Sequence, residues 1–382
     1  MNAAPGPLIT RYSQRFGGVH VGHSVSSPLG AWLLLALAAP LAKGPVRRDL
    51  EDILGVDVKR ARRALDELLD DPPEVIRSAL AVWGVPAWPT ELPAAVETGP
   101  VPTQAQADAW ARDHTDGMID RFPVDVSEMT AVLASALATR IAWARPYDVT
   151  DAAELRSPWG EQVAEALAGA DGYLTDVAGL GTVAVHSAVG GGCLQVTSVI
   201  ADPKASAQAV LAAAHDIAWR QATGSSVRRA KLADLPLGEG QFWTVTKERR
   251  PGGDQVRVVL PAWQASSNHD LTADPGLGFG ALGRALAAAL PAVPEIQARQ
   301  SAVARYNRWG FEAAAVTAVA LRSAMLPTGM SRTATLRFGH PFAVVASVGK
   351  RPGRPRRDPW AGVPVFAAWV AEPADVDASP PR

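Results

Sequence analysis

The sequence predicts a single domain of the α+β class. Helical segments dominate its first third, mixed strands and helices follow, and strands predominate at the end, which is an order typical of that class. The 382 residues are 48% hydrophobic and 20% charged, which is enough apolar material for one large core. No internal repeat or long linker divides the chain. We therefore expect one domain over 20–375, with tails at 1–19 and 376–382.

The helices are predicted from their boundaries. Ser26, Ser27 and Pro28 precede the apolar run 31–41, and Ser and Pro are typical of the first positions of a helix. Lys43-Gly44-Pro45 ends that run. We expect further helices at 47–53, 61–69, 104–122 and 205–221.

The strands are predicted from short apolar segments between turn residues. Segment 129–143 is apolar without a clear helical period, so it is either a central strand or a buried helix. Segments 242–246 and 255–260 flank Arg250-Pro251-Gly252-Gly253, which predicts a hairpin. Other strands are expected at 182–185, 194–200, 338–348 and 363–370.

Composition limits the class of partner and the compartment. Lys and Arg number 37 against 38 Asp and Glu, so the net charge of −1 argues against a nucleic acid or an anionic membrane. Cys193 is the one cysteine, which leaves no intramolecular disulfide. The run 31–41 is shorter than the ~20 residues that span a bilayer. The first 18 residues contain no stretch like a signal peptide, so we expect a cytoplasmic protein.

The histidines are the main candidates for metal binding or catalysis. His20 and His23 would align on a helix, but the neighbouring glycines oppose a helix and no third ligand is evident. His215-Asp216 and His269-Asp270 are adjacent pairs, and adjacent side chains seldom face each other. The glycines at 276, 278 and 280 follow Asp-Pro and not a strand, so they do not fit a dinucleotide loop. We predict no cofactor, no metal and no enzymatic activity.

A basic cluster lies between two late strands at 350–357, with the sequence Lys-Arg-Pro-Gly-Arg-Pro-Arg-Arg. Such a cluster either binds a polyanion or forms a solvated hairpin tip. We favour the hairpin tip.

The segment 310–326 has an unusual pattern. Glu312 is the one charge between 311 and 321, and the other residues are mostly Ala, Val, Thr and Leu. As a strand, the segment would place six uncharged side chains on one face, which suits a core-facing strand. Those side chains are Phe311, Ala313, Ala315, Thr317, Val319 and Leu321. An exposed strand of this kind is an aggregation hazard, so we expect it to have a place in a sheet.

This segment resembles the hinge of the serpin family. Its residues are Gly310-Phe311-Glu312-Ala313-Ala314-Ala315-Val316-Thr317, and the family pattern is Gly-Thr-Glu-Ala-Ala-Ala-x-Thr. Other stretches resemble the family in the same order: Ser27-Pro28-Leu29-Gly30, the strand 135–143 that ends in Trp143, Val259-Leu260-Pro261 with Asp270-Leu271, 336–342, and 366–373. Together they extend over nearly the whole chain.

The resemblance implies a fold of three β-sheets and eight or nine helices, with an exposed reactive-centre loop. It also implies a monomeric, metastable inhibitor of serine proteases. The protease cleaves the loop, which then enters the main sheet as a new strand and carries the attached protease roughly 50 Å, because ~15 residues rise about 3.3 Å each. The alternative is a non-inhibitory serpin fold that serves as a binding or chaperone-like protein.

The scissile bond follows from two counts that disagree. Counting from the hinge Gly310 places it at Ala324-Met325, and counting back from Phe342 places it near Met330-Ser331. We prefer Ala324-Met325, because the inserted length must match the sheet. That bond suits an elastase- or subtilisin-like protease, whereas Arg322 would suit a trypsin-like one.

The resemblance also implies a sheet-opening region, at Gly30, Ser135, Gln300 and Trp143. The family usually has Ser, Asn and His at the first three of these positions, so this chain departs from the usual hydrogen-bond network. Phe311 replaces the usual Thr or Ser of the hinge, which predicts slower insertion.

Overall fold

The computed structural model describes residues 4–85, 88–251, 253–290, 298–311, 328–354 and 358–376. The helices in this part are α1 (Pro5–Ser13), α2 (Pro28–Ala38), α3 (Gly44–Leu54), α4 (Val58–Asp70), α5 (Gln104–His114), α6 (Ala207–Thr223) and α7 (Phe279–Ala289). The strands are β1 (Ser24–Ser26), β2 (Ile76–Trp83), β3 (Val96–Gly99), β4 (Val132–Thr139), β5 (Ile141–Ala142), β6 (Asp148–Asp151), β7 (Glu165–Gly169), β8 (Gly172–Val177), β9 (Gly181–Val189), β10 (Leu194–Ile200), β11 (Gly238–Glu239), β12 (Trp243–Pro251), β13 (Gln255–Leu260), β14 (Trp263–Asp270), β15 (Arg299–Tyr306), β16 (Gly310–Phe311), β17 (Thr328–Arg337), β18 (Phe342–Val348) and β19 (Pro364–Val370).

Main-chain hydrogen bonds join the strands into four groups, which make three sheets when the last two are counted together. The first has the order β1-β19-β18-β10-β9-β8, and the second has the order β11-β12-β17-β13-β7-β6. The third, which we call the main sheet, has two parts, β14-β15-β16-β5 and β3-β2-β4. Only Arg140 separates β4 from β5, so the two parts share one nearly continuous strand. The sheet count agrees with the expected fold, and the described part contains seven α-helices where eight or nine were expected.

Helix α2 forms the centre of the core. The Ser27 side chain caps it by accepting a hydrogen bond from the Gly30 main chain, and Pro28 occupies its first turn. All 11 residues of α2 are buried. The apolar run 31–41 is therefore a core helix, as its length indicated. In the described part of the chain, no helix is long and apolar enough to cross a membrane.

The N-terminal segment contributes more to the domain than the sequence indicated. Residues 1–19 were expected to form a tail, but Pro5–Ser13 is helix α1. Leu8, Ile9 and Tyr12 of α1 are buried, and the Tyr12 hydroxyl donates to the Leu277 carbonyl at 2.9 Å. Helix α1 therefore packs as part of the domain.

Two predicted elements were wrong. The helix expected over 104–122 ends at His114, because Asp116 and Gly117 adopt positive φ angles of 52° and 75° that a right-handed helix does not allow. Segments 242–246 and 255–260 do not pair with each other as a hairpin. Strand β17 lies between them, antiparallel to β12 and parallel to β13, so a strand distant in sequence replaces the local pairing.

Candidate functional site

The main sheet is unpaired along its middle. Strand β4 pairs along its eight residues with β2, and β15 pairs along its eight residues with β14. Within the described ranges, no strand pairing joins β4 to β15. We call this space the gap. Two small cavities of about 60 and 40 Å³ lie along it, and both are lined by Ser135 and Arg299.

Strand β16 occupies one end of the gap. After β15 the chain turns back, so that Phe311 pairs antiparallel with Tyr306. On its other edge β16 pairs antiparallel with β5, placing Gly310 opposite Ala142 and Phe311 opposite Ile141. The first two residues of the predicted hinge therefore already form a strand between β15 and β5.

Phe311 anchors β16 in the core. Its side chain is 2% exposed, and its ring lies 6.3 Å from that of Trp263 and 6.4 Å from that of Phe366. The segment pattern predicted that residue 311 faces inward, and the structure places it so. A ring of this size buried among aromatic side chains adds apolar area that Thr or Ser would not.

The turn between β15 and β16 is fixed by Asn307 and Trp143. The Asn307 side chain accepts hydrogen bonds from the Trp309 and Gly310 main-chain N–H groups at 2.8 and 3.1 Å. The Trp143 indole donates to the Asn307 carbonyl at 2.9 Å, and the Trp143 N–H donates to the Trp309 carbonyl. Trp143 therefore holds the start of the hinge through its ring and its main chain.

A buried chain of hydrogen bonds runs beside this turn. The Tyr147 hydroxyl bonds to the Tyr306 hydroxyl and, at 2.5 Å, to Nε2 of His186. Burial raises the pKa of both tyrosines above the usual range, and it lowers the pKa of His186 to about 4. The three side chains are therefore neutral at pH 7, and they connect β9 to the end of β15.

Three of the four predicted sheet-opening residues, Gly30, Ser135 and Gln300, lie at the other end of the gap, whereas Trp143 lies beside β16. Gln300 on β15 accepts from the Ser27 N–H and donates to the Ser27 carbonyl, both at 2.8 Å. A Cβ atom on Gly30 would lie 3.0 Å from the Ser135 hydroxyl oxygen, so β4 approaches α2 closely at this point. Gln300 bonds to Ser27 and, within the described residues, not to Ser135.

Comparison with solved structures identifies this architecture. Serpin48, described as a highly specific serpin in the insect Tenebrio molitor, has a TM-score of 0.62 at 15% identity, over 96% of this chain and 97% of that chain. Human thyroxine-binding globulin complexed with its ligand has a TM-score of 0.64 at 13% identity, over 98% and 100%. The thermophilic serpin tengpin, in its native state, has a TM-score of 0.62 at 14% identity, over 96% and 93%.

The chain has the serpin fold. No protein-family model and no curated protein matches the sequence, so the likeness lies in the structure.

Several predicted residues of the serpin loop lie outside the described residues. They are the hinge residues Glu312, Ala313, Ala314, Ala315, Val316 and Thr317 and the reactive-bond residues Ala324 and Met325. Of the predicted hinge, the structure therefore places Gly310 and Phe311. Of the sheet-opening region, it places Gly30, Ser135, Gln300 and Trp143.

The hydrogen-bond partners of these residues were not predicted from the sequence. Ser27 was identified at the start of a helix and in the Ser27–Gly30 stretch but not as a partner of Gln300, and no pattern singled out Tyr147, His186 or Tyr306. For His186 the signal is an imidazole in a mostly apolar strand, which indicates a buried partner but not which one.

The basic cluster is partly an internal ion-pair site. Arg351 has a side chain that is 10% exposed, and it bonds to Asp358 at 2.6 Å and to Asp71 at 3.1 Å. Arg354 also pairs with Asp71, at 2.5 Å. Residues 355–357 lie outside the described ranges. The described arginines of this cluster therefore join segment 350–354 to the connection after α4. The sequence had predicted a solvated hairpin tip for this segment.

Proposed function

We propose that the chain inhibits a serine-type protease as a suicide substrate, by cleavage of its loop and insertion of the cut strand into the gap. One observation carries the proposal: β16 already lies between β15 and β5, at the head of a space that no described strand fills. A strand that continued β16 beyond Phe311 in the same direction would run along the gap. Cleavage would release the far end of that segment, so that it can lengthen β16.

The register of β16 determines which residues would meet. Gly310 lies opposite Ala142, and Phe311 lies opposite both Ile141 and Tyr306. Continuing the same antiparallel register places Thr317 opposite Ser135 on β4 and Gln300 on β15. The inserted hinge would therefore bring its one hydroxyl beside the polar residues of the sheet-opening region.

The two faces of the segment agree with this register. Phe311 is buried toward the core, and side chains alternate along a strand, so Ala313, Ala315 and Thr317 would also face the core. The cavities along the gap, of about 60 and 40 Å³, admit small side chains. Glu312 and Arg322 would fall on the opposite face, where a charge is tolerated.

Metastability would supply the free energy of insertion. Strands β4 and β15 each carry one row of main-chain N–H and C=O groups that no described strand pairs, and a strand between them would satisfy both rows. The native state would then be held back from its most stable form by the uncut loop.

The proposed scissile bond is Ala324-Met325, attacked by an elastase- or subtilisin-like protease, with a trypsin-like protease acting at Arg322. Each enzyme would be incubated with the protein, and the masses of the fragments would give the bond cut. Cleavage outside 322–331 would contradict the assignment.

Thermal unfolding before and after cleavage tests the insertion, with the fragments kept together. We expect the midpoint to rise, because the inserted strand would hydrogen-bond both unpaired rows of main-chain groups along the gap. Inhibition would be measured in parallel, as a complex with the protease that survives denaturing electrophoresis.

A matched pair of variants separates insertion from cleavage. Thr317→Arg would place a charge on the core face of the inserted strand, whereas Val316→Arg places one on the outer face. Both proteins should be cut at the same rate. The rise in midpoint and the trapped complex should be lost in Thr317→Arg and kept in Val316→Arg. Equal behaviour of the two variants, or no rise in the wild type, would refute insertion.

A second candidate function is ligand binding, and a specific cavity favours it. A space of about 940 Å³ lies between β8, β9 and the end of α6. Gln221 organises one wall, since its side-chain oxygen accepts from Ser187, Thr197 and Gln195. Titration with 8-anilinonaphthalene-1-sulfonate, for which Arg229 on the rim offers a positive charge, would test this candidate. Binding that Arg229→Glu leaves unchanged would count against it.

A further inference from the structure

Three histidine motifs that the sequence left without a role converge around β1. His20 and His23 immediately precede that strand, His269 lies on β14, and His215 lies on α6. His20 and His269 have ring centroids 6.3 Å apart, and His215 is near enough for its charge to affect His20. Four of the chain's 7 histidines therefore surround one short strand.

Side chains join β1 to the main sheet. The strand pairs by its main chain with β19, in the first sheet. Toward β14, the Val25 N–H donates to the Ser267 hydroxyl at 3.0 Å, and Nε2 of His269 donates to the Val25 carbonyl at 2.7 Å. His269 therefore supplies one of two hydrogen bonds that connect the central residue of β1 to β14.

His23 connects the segment before β1 to β14 and to the chain after β19. Its Nδ1 accepts hydrogen bonds from the Ala371 and Glu372 N–H groups at 3.1 and 3.2 Å. Its Nε2 donates to the Gln264 carbonyl of β14 at 2.8 Å. One imidazole ring therefore joins the start of β1 to both neighbours.

His20 is buried among neutral groups. Its side chain bonds to the Ser24 and Ser26 hydroxyls at 3.1 and 3.0 Å, and the residue is 5% exposed. Burial, followed by the nearby His269 and His215, lowers its pKa to about 3. Burial also lowers the pKa of His215 to about 4 and that of His269 below its usual value.

The neighbouring carboxylates are committed to other partners. Asp270, beside His269, pairs with Arg299 of β15 at 3.5 Å. Asp216, beside His215, pairs with Arg220 at 2.7 Å. The remaining acidic groups on adjoining elements are Glu372, whose N–H bonds to His23, and Asp274, which lies beside Gly18. No carboxylate bonds to any of the four histidine rings within the described residues, so protonation would leave uncompensated charge.

We propose that His20, His215 and His269 form an acid-sensitive clasp around β1, which fixes β1 to β14 through His269 at neutral pH and opens in acid. The next residue after β1 is Ser27, which Gln300 of β15 binds. An open clasp would therefore loosen the β14–β15 side of the gap. That effect on the gap rests on the proposed function, whereas the clasp itself does not.

The direction of the pH effect follows from the lowered pKa values. The neutral histidines contribute stability that is fully present above pH ~6.5 and is lost as the pH falls toward 3 to 4. Between these limits, each such histidine binds its proton only when the site opens. For each of His20 and His215, the equilibrium constant for opening the clasp should therefore rise about tenfold for each unit by which the pH falls.

Amide hydrogen exchange tests the clasp on the full chain. Protection factors would be compared at pH 7.5 and pH 5.0 for residues 23–27 and 264–271. In the wild type, protection of these segments should fall at least ~10-fold more than that of β9 and β10. In His20→Gln/His215→Gln, whose amides stay neutral, that selective loss should shrink at least ~10-fold. His114→Gln, at a histidine that pairs with Glu97, is the matched control and should behave as the wild type.

Three results would overturn the clasp. The first is a uniform loss of protection in all sheets at pH 5.0, and the second is the same selective loss in the double variant. The third needs no variant: carbon-labelled histidine signals would be titrated by NMR, and ordinary pKa values for His20 and His215 would exclude the mechanism. The melting midpoint of the cleaved protein, measured at pH 7.5, decides loop insertion separately from these results.

Discussion

Gln300 holds Ser27 by two hydrogen bonds of 2.8 Å, one to the N–H and one to the carbonyl of the same residue. The pair joins β15 to the residue that caps α2, and the Ser27 hydroxyl extends the connection by donating to the Val365 carbonyl at 2.9 Å. The Gln300 side chain therefore couples one border of the gap to the central helix, and the Ser27 hydroxyl continues this connection to β19.

Replacing Gln300 by Ala should destabilise the uncleaved protein. The change leaves the main-chain groups of Ser27 without their partner, at a cost of about 1–3 kcal/mol. Urea unfolding of the uncleaved protein would measure this loss. Gln300→Glu keeps the acceptor for the Ser27 N–H but sets a carboxylate against the Ser27 carbonyl, so it should also destabilise. Full stability of Gln300→Ala would show that the two bonds contribute nothing.

Gly30 and Ser135 should behave as a coupled pair. Gly30→Ala improves helix propensity by about 1 kcal/mol, but its Cβ would lie 3.0 Å from the Ser135 oxygen. We expect the gain to be cancelled in the single variant and recovered in Gly30→Ala/Ser135→Ala. A double-mutant cycle on unfolding free energies measures the coupling, and additive values would disprove the steric contact.

Tyr147→Phe should remove the link between Tyr306 and His186. Both partners would stay buried without the shared hydroxyl, which costs about 1–3 kcal/mol. Tyr12→Phe, at a buried hydroxyl that bonds to the Leu277 carbonyl and not to the β15–β16 turn, is a suitable comparison. If the Tyr147 hydroxyl fixes the hinge, Tyr147→Phe should also change the rate of insertion after cleavage, and Tyr12→Phe should not.

The pH dependence of His186 has a defined sign. Its pKa is lowered to about 4 by burial, so the neutral ring contributes stability that is present above pH ~6.5 and lost as the pH falls toward 4. His186→Gln should flatten the stability profile over this window by up to one proton per molecule. Unfolding free energies at half-unit steps of pH would measure the slope, and an unchanged slope would contradict the assignment.

Arg351→Met should be strongly destabilising. Burial opposes ionisation of Asp358, yet hydrogen bonds from Arg351 and the Trp360 N–H keep its pKa below the usual value. Removing Arg351 would leave that carboxylate buried and unpaired, which costs about 3–5 kcal/mol. Arg354→Met, at a more exposed partner of Asp71, should cost less than ~1 kcal/mol. Similar losses in both variants would argue against a buried pair.

The sequence predicted the features that depend on local pattern. The apolar run after Ser27-Pro28 became α2, and the alternation after Gly310 placed Phe311 toward the core. Segment 129–143, where periodicity left helix and strand open, became β4 and β5, because β2 lies alongside it. A neighbouring strand decided what the segment alone did not.

Features that depend on distant residues were not predictable. The hairpin over 242–260 followed from its turn residues, but β17, about 80 residues later, pairs with both strands. The bonds of Gln300 to Ser27 join residues 273 positions apart. No local pattern specifies such partners, because tertiary packing chooses among many equivalent polar groups.

Strand β17, which follows the loop, is bordered by β12 along nine residues and by β13 on its other edge, and β18 and β19 are interior strands of the first sheet. A cut in the loop would therefore produce two polypeptides that remain one particle. The two polypeptides would migrate together in gel filtration and separate only in denaturant. A single cleavage would therefore release no free fragment into solution.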